Sequence, residues 1–268
     1  MTSSNRSEIK DLIIDKDLLS DDLSIKTLKR IGCKEKALTK VNFTHSYFDN
    51  CYFRKVVFDS CVFYGCKFVN CNFHDCSFPG CKFDYAIFEK TYIDSEILYN
   101  NCPSHNNLKL KFARSLRINY QSIGDSKSVN KAILIELNAT KEHLYEAWNS
   151  HSVYYRSKYK GNKRVCMFFK WLNFKFQDYI WGNGENALNL LKTVLLIWFM
   201  TSILDTIIYK DSNLVSNYIE SLFTTPAVFV GVYYPEYYPK TYLTIITIVR
   251  YIYFALFTSI LIKRFNRR

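Results

Sequence analysis

Six of the nine cysteines stand close together, at positions 51, 61, 66, 71, 76 and 81. Thiolates so gathered could hold a metal or cross-link. A tetrahedral thiolate site needs ligands converging on one point, with local spacings near two to four residues. No CxxC pair occurs here. A disulfide ladder needs an oxidising compartment. No basic stretch followed by an apolar core and a small-residue cleavage site opens the chain, so the N-terminal part is expected to stay in the cytosol with reduced thiols.

Two further groups could do chemistry. Between Ala147 and Gln177 lie Arg156, Lys158, Lys160, Lys163, Arg164, Lys170 and Lys175, with no acid among them. Such a run attracts anionic lipid headgroups. With Tyr154, Tyr155 and Tyr159 to stack on bases, it could instead take a nucleotide or nucleic acid. The third group is Ser221, Thr224, Thr225, Pro226 and Gly231, between two apolar segments that carry Asp205 and Arg250. Hydroxyls and a glycine there could line an ion path. An intramembrane charge marks a functional position by default. Arg250 either pairs with Asp205 or faces the pore. The five histidines follow no motif, and no glycine-rich phosphate loop, HExxH or nucleophile elbow is present. No enzyme, metal site or cofactor is expected.

The elements that position these groups begin with a period. Phenylalanine recurs every five residues from Phe43 to Phe88, and Ile93 and Leu98 continue the series. Two residues before each stands a small side chain, including Val41, Ser46, Cys51, Cys61, Cys66 and Cys81. Five matches neither the helical period of 3.6 nor the strand period of 2. It suits a solenoid whose coil is a multiple of five residues. The pattern resembles the pentapeptide-repeat family, in which four pentapeptides make one square coil. The resemblance implies a right-handed quadrilateral β-helix of roughly three coils over residues 41–100. It also turns the cysteines inward as small buried hydrophobes, with Cys61 over Cys81 and successive thiols on different faces. Residues 1–40 are expected to be a helical N-terminal cap, with Leu12, Ile13, Leu18, Leu19, Leu23 and Leu28 turned inward.

Residues 101–186 read as a basic α-helical linker region. Leu108, Phe112, Leu116 and Tyr120 share a stripe, Gly124-Asp125-Ser126 breaks it, and Val129, Ile133, Leu137 and Leu144 resume it. The net charge of +12 centres on this region, whereas acids and bases balance over residues 1–99. "VCMFFKWLNFKFQDYIWG" has the Trp, Phe and Lys mixture of an interfacial amphipathic helix. Residues 187–209 and 241–262 are each long enough to cross a bilayer core, which takes ~20 apolar residues. Basic residues precede the first span and end the chain, as Lys263, Arg264, Arg267 and Arg268. Both termini are therefore expected on the cytoplasmic side.

The order of repeat, helical hairpin, basic aromatic helix, span, pore-like loop and span resembles bacterial pentapeptide-repeat proteins with a two-span ion-channel domain. "LRINYQSIGDSKSVNKA" and "WGNGENALNLLKTVLLIWF" are similar to that family's segments before its first span. The expected fold is a multi-domain membrane protein: solenoid, helical linker, and two transmembrane helices over residues 187–268 with a re-entrant pore-like loop. The resemblance implies a homotetramer in the bacterial inner membrane. The Thr-x-Gly-Tyr-Gly filter is missing, so potassium selectivity is not expected. The leading function is a ligand-gated or partner-gated pore, with antiviral membrane permeabilisation as its role. The alternative is a non-conducting membrane-anchored scaffold whose solenoid docks a protein.

Overall fold

The computed structural model describes residues 6–266; Arg267 and Arg268 of the basic C-terminus lie outside them. The chain forms two compact units, residues 1–168 and 169–268.

The first unit is built on the five-residue period. Short parallel strands stack with partners nineteen or twenty residues apart. One face carries Ser7–Lys10, Lys26–Lys29, Tyr47–Asp49, Lys67–Val69 and Ile87–Glu89, in register Phe48 with Phe68 and Phe68 with Phe88. A second carries Ile13–Ile14, Gly32–Lys34, Tyr52–Arg54 and Asn72–His74, and a third Leu18–Leu19, Ala37–Thr39 and Val57–Asp59. Single bridges joining Asp22, Asn42, Val62 and Lys82 make the fourth. The result is a pentapeptide-repeat β-solenoid of about 4 turns followed by helices.

The core is a column of rings. Phe63 lies 5.0 Å from Phe43 and 4.8 Å from Phe83, nearly parallel to both, while Phe48 and Phe68 stack at 4.7 Å. Beside them the small residues close the backbone accounts. Sγ of Cys66 donates to the Phe43 carbonyl at 2.9 Å and Sγ of Cys61 to the Leu38 carbonyl at 3.1 Å. Oγ of Ser46 donates in the same way to the Leu23 carbonyl. Burial pushes the Cys66 thiol up to about 12 and the Cys33 thiol up to about 11. The Cys66 thiol therefore stays protonated and serves as a small donor to a buried carbonyl.

Corners come every fifth residue. Lys40, His45, Asn50, Lys55, Ser60, Asn70 and Tyr85 all have φ between 51° and 60°. Left-handed backbone costs a non-glycine residue roughly 1–2 kcal/mol. Bonds to the next coil offset that cost, such as Asn50 N–H to the Val69 carbonyl at 3.0 Å.

The N-terminal segment departs from expectation. It is not a helical cap: residues from Ser7 to Thr39 are strands of the same solenoid. Leu18, Leu28, Cys33 and Leu38 keep the five-residue grid, but Ile9 pairs with Leu28 and Ile14 with Cys33, nineteen residues apart, while Leu18 pairs with Leu38 at twenty. One residue missing between Ile14 and Leu18 breaks the period in the first coil. Smaller aliphatic side chains there also remove the phenylalanine signal.

Helices close the other end. After a single turn, α1 (Ile97–Asn100), come α2 (Asn106–Ser122) and α3 (Ser126–Asn149), which reverse at Gly124 with Asp125 as N-cap for Ser128 N–H. α2 supplies the partners that a further coil would have offered. The Asn119 amide donates to the Thr91 carbonyl and accepts from Thr91 N–H, both at 2.7 Å. Ser115 Oγ accepts from Phe88 N–H at 3.0 Å, and Phe112 covers Phe83 and Phe88. A solenoid end needs such a cap.

α4 (Val153–Lys158) and α5 (Asn162–Trp181) follow; α5 passes from the first unit into the second. The second unit continues through a turn at Gly182–Gly184 into α6 (Ala187–Tyr209), α7 (Val215–Val230) and α8 (Lys240–Asn266).

Candidate functional site

In the second unit, α6 and α8 are long and apolar enough to cross a membrane, with mean hydropathy 1.8 and 2.0. Their contacts order the pieces along them. Near the C-terminal end of α6, Thr206 Oγ1 donates to the Asn217 carbonyl and Asp205 accepts from Ser221 Oγ at 2.7 Å. Two turns earlier on α6, Trp198 meets Phe229 near the end of α7. Thus α7 runs back along α6. It stops at Gly231, where φ of 88° forms a left-handed C-cap and the N–H groups of Gly231 and Val232 bond the Ala227 carbonyl. A Cβ at Gly231 would force the Arg250 guanidinium to shift, and the left-handed φ itself favours glycine.

Residues 231–239 then return without helix. Tyr238 donates to Asp205 at 2.6 Å and packs against Tyr209, and Tyr242 of α8 lies beside the same ring. Arg250 lies ten residues into α8, about 15 Å at ~1.5 Å per residue, and its Nη1 donates to the Val230 carbonyl at 2.9 Å. The segment between α6 and α8 is therefore a helix reaching to mid-length of α8 and an extended return.

Asp205 is the anchor of this arrangement. Its side chain is 1% exposed and accepts from Ser221 on α7 and Tyr238 on the return, with Lys210 Nζ at 3.9 Å. The expected pairing of Asp205 with Arg250 is not made. Asp205 lies near the Tyr209 end, whereas Arg250 serves the carbonyl where α7 ends. Among the described residues Arg250 forms no ion pair. The hydroxyls also divide. Ser221 and Thr225 are buried within the chain, Thr225 donating to the Ser221 carbonyl at 2.6 Å. Thr224 and Pro226 sit inside α7 rather than at its end. The surface left outward is Phe223, Val230, Val232, Tyr233 and Tyr234. The spacing from Thr224 to Gly231 could not show that α7 continues through Pro226 to Val230. A proline is tolerated in a helix only where neighbours re-satisfy the freed groups.

The basic stretch is also divided. Arg156 Nη2 donates to the Ala147 carbonyl and Arg164 Nε to the Trp148 carbonyl, both at 2.6 Å. Those are orphan carbonyls at the end of α3, where cations also suit the helix dipole. Tyr155 is buried and shares His143 with Tyr159, each hydroxyl 3.3 Å from an imidazole nitrogen. Burial, and then the nearby Lys158 charge, lower the His143 pKa. Lys158 Nζ donates to the Tyr154 hydroxyl at 3.1 Å, which holds its own pKa up. Lys160, Lys163, Lys170 and Lys175 make no ion pair among the described residues. On α5, Val165, Phe169, Leu172 and Phe176 are exposed apolar side chains.

The class defined by this fold is a pentapeptide-repeat β-solenoid with a helical C-terminal extension. Residues 38–75 match the family described as pentapeptide repeats, in eight copies. Solved pentapeptide-repeat proteins are among the structures it is similar to. One is HetL from the cyanobacterium Nostoc sp. strain PCC 7120, involved in heterocyst differentiation regulation, at 11% identity over 32% of this chain and 43% of that one, TM-score 0.20. Another is Rfr23 from the cyanobacterium Cyanothece 51142, at 16% identity over 33% and 62%, TM-score 0.19. A third is QnrB1, a plasmid-mediated fluoroquinolone resistance protein, at 12% identity over 33% and 54%, TM-score 0.16. The chain thus spans about half the length of these structures. No curated protein matches it.

Proposed function

We propose that this chain is the subunit of an oligomeric membrane pore, not selective for potassium, gated through its solenoid and basic helical regions. The observation that carries the proposal is the end of α7. A helix stops at mid-length of α8, and non-helical backbone returns from it. At bilayer depth such backbone is tolerated only inside protein or beside water. One chain supplies two flanking helices, so shielding calls for several copies about an axis, a tetramer being the arrangement we favour. The membrane setting is supported by how little of either apolar helix the chain covers, 17% and 6% of the two windows. The core helix of a soluble protein would be mostly buried. Basic α5 would lie in the inner-membrane interface, its lysines on anionic headgroups and both termini cytoplasmic.

The extended return offers one glycine, Gly231, and a guanidinium bound to the Val230 carbonyl. A potassium filter needs carbonyls free to replace a hydration shell. Arg250 instead places positive charge at that level, which opposes cation entry. Opening such a pore would collapse ion gradients, the output expected of an antiviral effector that disables its own host cell. Planar-bilayer recording on the purified full-length protein tests the reading. Unitary steps without potassium preference are expected, and a Gly231→Ala protein should lose them. Silence of the wild-type protein in every ligand condition tried would leave the scaffold reading. That reading is favoured by one observation: the solenoid exposes Tyr52, Tyr64, Tyr85 and Tyr92, a surface suited to a protein partner.

A further inference from the structure

The first unit holds a cavity of about 480 Å³, bordered by the last solenoid coils, the start of α2 and the end of α3. That lies within the ~300–1,000 Å³ of small-molecule sites. Its walls include the rings of Tyr85 and Tyr154, each 45% exposed, with Tyr155 below and the Glu146 carboxylate, Asn107 and Ser152 around them. Tyr154 is fixed in place, since its hydroxyl accepts from Asn107 Nδ2 at 3.0 Å and from Lys158 Nζ at 3.1 Å. A lysine ammonium accompanies each open ring: Lys111 lies 5.4 Å from the Tyr85 centroid and Lys158 5.4 Å from that of Tyr154.

These parts select a chemistry. Open aromatic faces take a planar ring by stacking, in a sequence-tolerant way. The carboxylate accepts hydrogen bonds only, so the ring must carry N–H donors at one edge. The asparagine and serines can serve either sense. The lysines, each over its tyrosine ring, provide for an anionic group on the same ligand. A ring with amino donors joined to an anion is a nucleotide. A lipid headgroup has no planar ring to stack, and a bare phosphate would leave the aromatic faces unused.

We propose that this cavity binds a purine nucleotide, with the base on Tyr154 and Tyr85, its amino edge on Glu146 and its phosphates toward Lys158 and Lys111. The site is separate from the exposed lysines of α5. Its binding claim stands whether or not the protein conducts; only its use as a gating input rests on the pore reading.

The test is fluorescence anisotropy of mant-GTP and mant-ATP on the full-length protein in detergent. Saturable binding is expected, displaced by unlabelled nucleotide but not by equimolar inorganic phosphate. Tyr154→Ala should weaken it roughly tenfold and Glu146→Gln several-fold, as expected for one lost stacking or edge contact. Tyr154→Phe, which keeps the ring, should bind within about twofold, so that a misfolded alanine variant cannot imitate the result. Lys175→Ala should bind as wild type. No saturation by ~1 mM nucleotide, displacement by phosphate alone, or unchanged affinity in Tyr154→Ala would each overturn the proposal. Binding without conductance would defeat the pore reading and leave this one. Conductance without binding would do the reverse.

Discussion

The solenoid and the C-terminal unit solve the same problem in opposite ways. In the solenoid the strands bond coil to coil, every phenylalanine of the series lies on another, and a helix closes the last coil. Little is left that a second molecule must provide. In the C-terminal unit the large apolar side chains point outward, among them Phe199, Phe223 and Phe254, and a stretch of non-helical backbone hangs on one carboxylate and one guanidinium. Stability built wholly from within suits a part that must hold its shape in water. Under the pore proposal, the C-terminal unit would draw the rest of its stability from lipid and from neighbouring copies.

The largest expected effect tests that contrast with one kind of substitution at two places. Phe63→Ala removes a ring stacked on Phe43 and Phe83 and edged by Phe58 and Phe68. It should cost about 3–5 kcal/mol, read as a lowered denaturation midpoint of the solenoid's far-UV signal. Phe254→Ala on α8 removes a ring that is 65% exposed, and in detergent it should change stability by less than ~0.5 kcal/mol. Equal costs at the two sites would break the comparison. They would mean that the outer face of α8 is already buried against protein.

Next comes Asp205. Asp205→Ala would leave the buried hydroxyls of Ser221 and Tyr238 without their acceptor, at about 1–3 kcal/mol for each unsatisfied group. The effect should stay inside the C-terminal unit. A cysteine placed at Tyr234 should react with a soluble maleimide faster once Asp205 is alanine, while the solenoid's midpoint does not move. Asp205→Asn keeps an acceptor and should react at an intermediate rate. Unchanged labelling in the alanine variant would show that α7 and the return are held by packing alone. Gly231→Ala follows in size. Its left-handed φ alone disfavours any side chain by roughly 1–2 kcal/mol, and the new Cβ must displace Arg250 from the Val230 carbonyl.

The two regions also differ in how far their residues announce them. Ten phenylalanines on a five-residue grid force a coil of that multiple, because no helix or flat strand buries such a set on one face. The stacking of Phe63 on Phe83 and the inward turn of the cysteines were therefore legible. The first coil was not, because one deleted residue between Ile14 and Leu18 resets the grid and the leucines there also suit a helix. The corner signal was available in Asn50, Gly65, Asn70 and Gly80, which tolerate a left-handed backbone, but Lys40, Lys55 and Tyr85 interrupt it. In the C-terminal unit, hydropathy marks the two long helices plainly. It cannot show that Asp205 faces Ser221 and Tyr238, since three partners scattered over thirty-odd residues follow no local period. The pocket under Tyr154 was hidden for the same reason, as Tyr85 and Glu146 come from segments far apart in the chain.

The smallest effect distinguishes the two ends of the first unit. Around the coils burial pushes Cys66 up to about 12 and Cys33 up to about 11, and the solenoid should be indifferent to pH between about 5 and 8. The helical end should not be. His143 is held between the Tyr155 and Tyr159 hydroxyls, with Lys158 and Glu146 the charged groups around it, and burial followed by Lys158 lowers its pKa. An unfolded histidine titrates near ~6.5. Below that pH the unfolded chain takes up a proton that the folded one refuses, so stability falls as pH drops from ~6.5 toward the folded pKa and is flat above ~7.5. Denaturant midpoints at the Tyr155 cluster, followed by Trp148 fluorescence, should drop on acidification, and His143→Gln should remove that slope. If the wild-type slope survives the substitution, or if the solenoid's far-UV midpoint falls in parallel with it, the two ends of this unit do not respond to protons separately.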